Sequence, residues 1–285
     1  MKVEKARELG FCFGVRRALK IIESAANGRT KIVTLGPIVH NKTVVARLKA
    51  LGVGVIDDIE KSDSGVIAVS SHGVAPATMD RIQGQGAKVI DTTCPIVRSA
   101  QKAAQRLAGA GFSVVIYGEA NHPEVRGLLG WAGKNAIASM NANEVPLESL
   151  LKRVGILSQT TQNRLEFISF VNSLTARLLP GTREIRIINT LCQETLKRQS
   201  AAIELAKTSD LMIVVGGHNS ANTRHLAEVC SPIVQTHHIE NAEEIDAAWL
   251  RGKGVIGITA GASTPDEAIE QVIAKIKQLS SLKSV

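Results

Sequence analysis

Three cysteines, Cys12, Cys94 and Cys192, lie 82 and 98 positions apart and cut the 285-residue chain into near-thirds. Each opens a stretch with apolar residues at helical spacing: Val15, Ala18, Leu19 and Ile22; Val97, Ala100, Ala104 and Leu107; Leu196, Ala202, Ile203 and Leu205. An apolar run begins 20 positions after each cysteine, at Ile32, Val114 and Met212, and position +24 is glycine each time: Gly36, Gly118 and Gly216. Position +28 then holds His40, His122 and Ser220, and position +30 holds Lys42, Glu124 and Asn222. Cysteine, helix, strand, glycine and polar tip kept in step three times mark an internal duplication.

Each third carries a second apolar run that ends the same way. Val66 to Val69 lead to Ser71-His72-Gly73, Val154 to Leu157 lead to Ser158-Gln159-Thr160-Thr161, and Val255 to Ile258 lead to Thr259-Ala260-Gly261-Ala262-Ser263. Apolar strands without polar alternation imply parallel sheets covered on both faces, with helices as right-handed crossovers. The predicted fold is therefore α/β: three pseudo-threefold-related modules, each with a small, mainly parallel sheet, around one centre. Their expected bounds are 13–94, 95–191 and 192–285, the last joined by the N-terminal segment 1–12. Open parallel sheets bind ligands past the carboxyl ends of their strands, which is where the polar tips fall.

Composition removes several classes of function. With 44% hydrophobic and 21% charged residues, the chain is far from the disordered regime. Five Phe, two Trp and one Tyr offer few faces for stacking bases. No apolar run reaches 18 residues, and the start, Met1-Lys2-Val3-Glu4-Lys5-Ala6-Arg7-Glu8, places charge where a signal peptide is apolar. A cytoplasmic protein with no membrane segment is expected. The net charge of +8 is spread without a basic run, so it reads as a solvated surface that favours anionic substrates or acidic partners, and no nucleic-acid partner is expected. Four cysteines without C-x-x-C spacing exclude a disulfide scaffold.

If equivalent modules share a centre, their three cysteines meet there. Three thiolates suit an iron–sulfur cluster or zinc. A structural zinc site would want a fourth Cys or His, whereas a four-iron cubane on three thiolates leaves one iron open to a substrate oxygen. Cys230 has no counterpart in the other thirds and reads as core. The tips His40, His72, His122, Ser220, Asn222 and Ser263 are short donors at strand ends that suit a diphosphate, with helix capping as the plainer role for Ser and Asn. His218, His225, His237 and His238 read as solvated side chains. Glu124, the only carboxylate among the tips, suits proton transfer unless it is an ordinary surface glutamate. Thr160 could relay a proton, or lie beside Ser158 or Thr161 capping the next helix.

Nine motifs, in order, carry a resemblance over nearly the whole chain: Gly10-Phe11-Cys12-Phe13-Gly14-Val15, Val39-His40-Asn41, Ser71-His72-Gly73-Val74, Asp91-Thr92-Thr93-Cys94-Pro95, Asn121-His122-Pro123-Glu124-Val125, Gln159-Thr160-Thr161, Asn189-Thr190-Leu191-Cys192, Asn219-Ser220-Ala221-Asn222 and Thr259-Ala260-Gly261-Ala262-Ser263. They resemble the family of 4-hydroxy-3-methylbut-2-enyl diphosphate reductases. The resemblance implies the last step of the methylerythritol phosphate route to isoprenoids, in which two electrons and two protons remove an allylic hydroxyl as water. The products are isopentenyl and dimethylallyl diphosphate. It also implies one [4Fe–4S] cluster on Cys12, Cys94 and Cys192, with the open iron taking the substrate hydroxyl. His40, His72, His122, Ser220, Asn222 and Ser263 match the diphosphate-binding positions, Glu124 and Thr160 the proton-delivery positions. A ferredoxin or flavodoxin is the implied electron donor. Ala221 stands where members of the family often carry a second serine, so one hydroxyl contact to phosphate is missing.

The rival readings are a zinc or thiol-dependent phosphohydrolase using the same tips, and a basic RNA-binding protein. Anaerobic purification separates them from the reductase: brown protein with iron and acid-labile sulfide is expected, and a colourless zinc protein would favour the hydrolase.

Overall fold

Strands covered on both faces need a helix layer on each side. The computed structural model, which describes residues 1–26, 31–39, 41–62 and 64–281, provides both layers three times. Its elements in chain order are β1 (Lys2–Lys5), α1 (Phe13–Ala26), β2 (Ile32–Leu35), α2 (Lys42–Ala50), β3 (Val53–Ile56), β4 (Val66–Val69), α3 (Pro76–Gly84), β5 (Lys88–Asp91), α4 (Pro95–Gly109) and β6 (Ser113–Tyr117). Then come α5 (Pro123–Ala132), β7 (Ala136–Ser139), β8 (Arg153–Ser158), α6 (Arg164–Leu178), β9 (Glu184–Ile187), α7 (Gln193–Ala206), β10 (Leu211–Val215), α8 (Ala221–Cys230), β11 (Thr236–Ile239), β12 (Val255–Ala260) and α9 (Asp266–Ser281).

The strands form three four-stranded sheets with one topology: β3-β2-β4-β5, β7-β6-β8-β9 and β11-β10-β12-β1. Every pairing is parallel. In the third sheet the fourth place is filled by β1, from the other end of the chain. The chain forms two compact units, one of Met1–Arg16, Val39–Ala46 and the chain from Gln193 on, the other of Arg17–Ile38 and Arg47–Cys192. The first unit holds the β10 sheet and the second holds the other two. No helix among the described residues is long and apolar enough to cross a membrane.

The first unit shows why its central strand lacks polar alternation. Leu211, Ile213 and Val215 pack with Ile256, Ile258, Val272 and Ile276 on one face of the sheet, while Met212 and Val214 pack with Ala202, Leu205, Leu226 and Cys230 on the other. In the second unit Val114 and Ile116 join Ala100, Ala104, Leu107 and Leu128. The expected helical faces of α1 and α4 are buried. That of α7 is corrected: Thr195, Arg198, Gln199, Ala202 and Leu205 are buried, and Leu196 and Ile203 only partly. Polar residues hold part of its inner stripe, which rotates the apolar pattern seen in sequence.

One packing contact repeats with its sizes exchanged. Leu107 and Leu205 each stand 13 positions after their cysteine and press on Gly155 and Gly257, the residues paired with Val114 and Met212. A Cβ on Gly155 would come within 2.6 Å of Leu107. At the matching places the remaining module has Ala25 in its helix and Val66 in its strand. In sequence register, that Ala and Val sum to nearly the volume of a Leu and Gly, as close packing favours. Gly155→Val is expected to destabilise the protein by ~1–3 kcal/mol through overpacking. Adding Leu107→Ala should recover stability rather than add its usual ~2–5 kcal/mol cost, as read from urea unfolding midpoints. Additive losses would contradict the exchange.

Candidate functional site

The three modules present their cysteines in one way. Each cysteine directly precedes a helix, α1, α4 or α7, and its N–H donates to the carbonyl two residues beyond the sheet's third strand. The bonds run from Cys12 to Ala262 at 3.0 Å, from Cys94 to Ser71 at 3.0 Å and from Cys192 to Thr160 at 2.8 Å. None of the three is in a disulfide, and all are half-buried. The Val15 N–H also points at the Cys12 sulfur, 3.5 Å away. Helix starts carry N–H groups without helical acceptors and favour negative charge, so the donor set fits a thiolate-held metal centre. Cys12 belongs to the first compact unit, Cys94 and Cys192 to the second. No group of three or more His, Cys, Asp or Glu side chains forms a metal-ligating array among the described residues. Cys230 is fully buried, and burial pushes its thiol up to about 11, as befits a core residue.

In the second unit five of the expected site residues form a continuous chain. The His72 and His122 rings meet edge-on, with centroids 5.5 Å apart. His122 caps α5, its Nδ1 accepting the Glu124 N–H at 3.2 Å, so a neutral His122 carries its proton on Nε2 and offers it as a donor. The Glu124 carboxylate accepts the Thr160 N–H at 2.6 Å and the Thr160 Oγ–H at 2.9 Å, and the Thr160 carbonyl accepts the Cys192 N–H. Glu124 is 1% exposed, which excludes the surface-glutamate alternative. Burial pushes its carboxyl up to about 7, against the two Thr160 hydrogen bonds, which pull it down.

In the first unit Ser220 caps α8, its Oγ accepting the Thr223 N–H at 3.4 Å. Asn222 is buried with neither amide atom partnered among the described residues, and Thr223 Oγ1 is likewise orphaned. Buried polar atoms without partners are costly, so these groups fit a polar ligand. Ala221 supplies no hydroxyl, but the first-turn N–H groups of α8 have no acceptor inside the helix. Ser263, also buried, follows β12, which lies beside β10. Gly216 sits at φ +149°, and a Cβ there would come within 2.8 Å of the Thr223 and Thr264 hydroxyls. Glycine is thus required where β10 turns towards Ser220.

His40 lies outside the described residues; its neighbour Asn41 accepts the Val44 N–H at 3.0 Å, so α2 begins one residue later than its counterparts. Two sequence readings are corrected. His225 is buried and bonds Glu228 at 2.8 Å, because it faces inward on α8. The cap of α6 is Asn163, whose Oδ1 accepts the Leu165 N–H at 2.7 Å, rather than Ser158 or Thr161. Of the other histidines, His237 stacks on Trp249 and His238 bonds the Gly216 carbonyl at 2.9 Å, while His218 is exposed beside Glu244. Sequence reading also missed Arg198 and Gln101, whose only signal is a polar residue at a position on the inner stripe of a helix.

A family model described as LytB protein matches residues 3–277. A 4-hydroxy-3-methylbut-2-enyl diphosphate reductase from Dehalococcoides mccartyi strain CBDB1 is 48% identical over 282 residues, 99% of each chain. The enzyme of that name from Geobacter sulfurreducens is 42% identical over 284 residues, again 99% of each chain. Among solved structures, an (E)-4-hydroxy-3-methyl-but-2-enyl diphosphate reductase, described as the terminal enzyme of the non-mevalonate pathway, aligns at TM-score 0.71 and 40% identity over 98% of this chain and 100% of that one. The E-1-hydroxy-2-methyl-but-2-enyl-4-diphosphate reductase of Plasmodium falciparum aligns at TM-score 0.89 and 26% identity, covering 96% and 87%.

The raised Glu124 carboxyl has a consequence for stability. The folded protein keeps a proton that the unfolded chain releases near pH 4.5, so this group's stabilisation is complete at lower pH and is lost as pH rises through about 7. Glu124→Gln removes the loss and keeps an acceptor for Thr160. Its unfolding free energy relative to wild type should therefore rise between pH 5 and pH 8, by up to ~3 kcal/mol. A difference independent of pH would contradict the buried, proton-holding state.

Proposed function

The chain belongs to the LytB family, and we infer that it is a 4-hydroxy-3-methylbut-2-enyl diphosphate reductase, an oxidoreductase acting on an allylic diphosphate at the end of the non-mevalonate pathway. The observation that carries the reading is the chain from His122 through the buried Glu124 and Thr160 to Cys192, in which hydrogen bonds by way of Thr160 join a candidate acid to a candidate metal ligand. We assign the modules to 13–94, 95–191 and 192–285 with 1–12, and the protein to the cytoplasm.

Cys12, Cys94 and Cys192 are the proposed ligands of a [4Fe–4S] cluster, which when bound supplies electrons and a Lewis-acidic iron for the substrate hydroxyl. The chain's own residues do the rest. His122 donates through Nε2 to a diphosphate oxygen, with His72 against its ring and His40 completing the set. Ser220 and Asn222 add their side chains with the Ala221 and Asn222 N–H groups at the start of α8, and Ser263 adds a hydroxyl from the β12 exit. Ala221 contributes its backbone alone, a modest loss of affinity. This clamp fixes the hydroxymethyl end of the substrate.

Hydroxide leaves poorly, so the departing oxygen needs a proton. A carboxyl titrating near 7 holds one at neutral pH and can still release it. Thr160 keeps the carboxyl in place with its N–H, and its hydroxyl can pass a proton to Glu124 after each turnover. The donor of electrons is read as a ferredoxin or flavodoxin, whose acidic surface suits a chain of net charge +8.

Glu124→Gln is expected to keep iron, sulfide and substrate binding while turnover with an artificial reductant falls ~10²–10⁴-fold. Near wild-type turnover would remove Glu124 from the reaction. Cys94→Ser should yield protein without an intact cluster; a full iron complement with normal activity would contradict the ligand assignment.

A further inference from the structure

Arg198 lies on the inner stripe of α7, six residues past Cys192 in sequence, and is only 3% exposed. Its Nη1 donates to the Ala260 carbonyl at 3.2 Å. Its Nε finds no acceptor among the described residues, and neither does Nε2 of the adjoining buried Gln199. Two consecutive buried side chains thus hold donors without acceptors. A guanidinium does not shed its proton, and a buried charge requires a counter-charge. The carboxylates acting on it are ill placed to supply one. Glu8 is exposed, and Glu194 is shared with Lys197 at 3.4 Å.

The exit of β12 brings in an anionic candidate. Ala260 accepts from Arg198, and Ala262, two residues on, accepts the Cys12 N–H. The Arg198 guanidinium and the Cys12 backbone thus hang from one three-residue stretch. Burial lowers the Arg198 pKa, and of the groups that offset this Cys12 is the strongest, ahead of Glu8 and Glu194, with Arg16 opposing.

We propose that Arg198 is the fixed counter-charge of Cys12 and, on the reading of Cys12 as a cluster ligand, that it makes the cluster easier to reduce. Adding an electron to a centre held by thiolates increases its negative charge. A buried cation lowers the energy of that more negative state, and solvent and salt screen it weakly. Arg198 is a positioning and tuning residue on this account; it touches no substrate.

The test is a mediated redox titration of anaerobically loaded wild type, Arg198→Lys, Arg198→Gln and Arg198→Met, with iron and sulfide measured on each. Reduction of Gln and Met variants should be about tenfold less favourable, ~59 mV lower for a one-electron couple, with Lys close to wild type. Loss of the cluster in Gln and Met but not in Lys would equally support a counter-charge. Equal potentials in all four loaded proteins, or loss of the cluster in all three variants, would overturn it. Wild type that takes up no cluster would instead overturn the ligand reading on which it rests.

Discussion

A single backbone hydrogen bond, repeated in each module, ties the cysteine to the carboxyl end of the sheet. The acceptor carbonyl belongs to Ser71, Thr160 or Ala262. Two of these immediately precede expected diphosphate contacts, His72 and Ser263, and the third is the residue that grips Glu124. Moving a cysteine therefore moves a polar tip. Such a bond contributes only ~1 kcal/mol net, but leaving its groups buried and unmade would cost ~1–3 kcal/mol, so each helix start has little freedom to drift from the strand exit. The duplication thus preserves a mechanical coupling as well as a fold.

Glu124 illustrates how the site separates itself from solvent chemistry. Two hydrogen bonds from Thr160 favour the charged carboxylate, and burial opposes them; burial wins, because the carboxyl rises rather than falls. A carboxyl with those bonds at the surface would stay ionised at neutral pH and have no proton to give. The same Thr160 contributes its carbonyl to Cys192, so the acid and the thiol share one rigid residue.

The central strands were legible because they are covered on both faces: β2, β4, β6, β8, β10 and β12 are mostly apolar without polar alternation. The outer strands were not. Strands such as β5, β9 and β11 carry Lys88, Glu184, Arg186 and His237 on a half-exposed edge, which reads as loop. The duplication also exposed the cysteines and the tips, but register blurred at the caps, where Asn41, one position later than His122 and Ser220, caps α2. Arg198 and the Leu–Gly exchange were invisible for a common reason. Each depends on which residues face one another across layers, and spacing along the chain does not encode that.

The proposed reaction rests on three repeated thiols holding a four-iron cluster with one corner left for substrate. Mössbauer spectroscopy of anaerobically reconstituted, iron-57-labelled protein, with and without the allylic diphosphate, tests it most directly. Four irons and four sulfides per chain are expected, one iron distinct from the other three, with a change confined to that iron when the diphosphate is added. Four equivalent irons indifferent to the diphosphate, or a centre of any other composition, would contradict it.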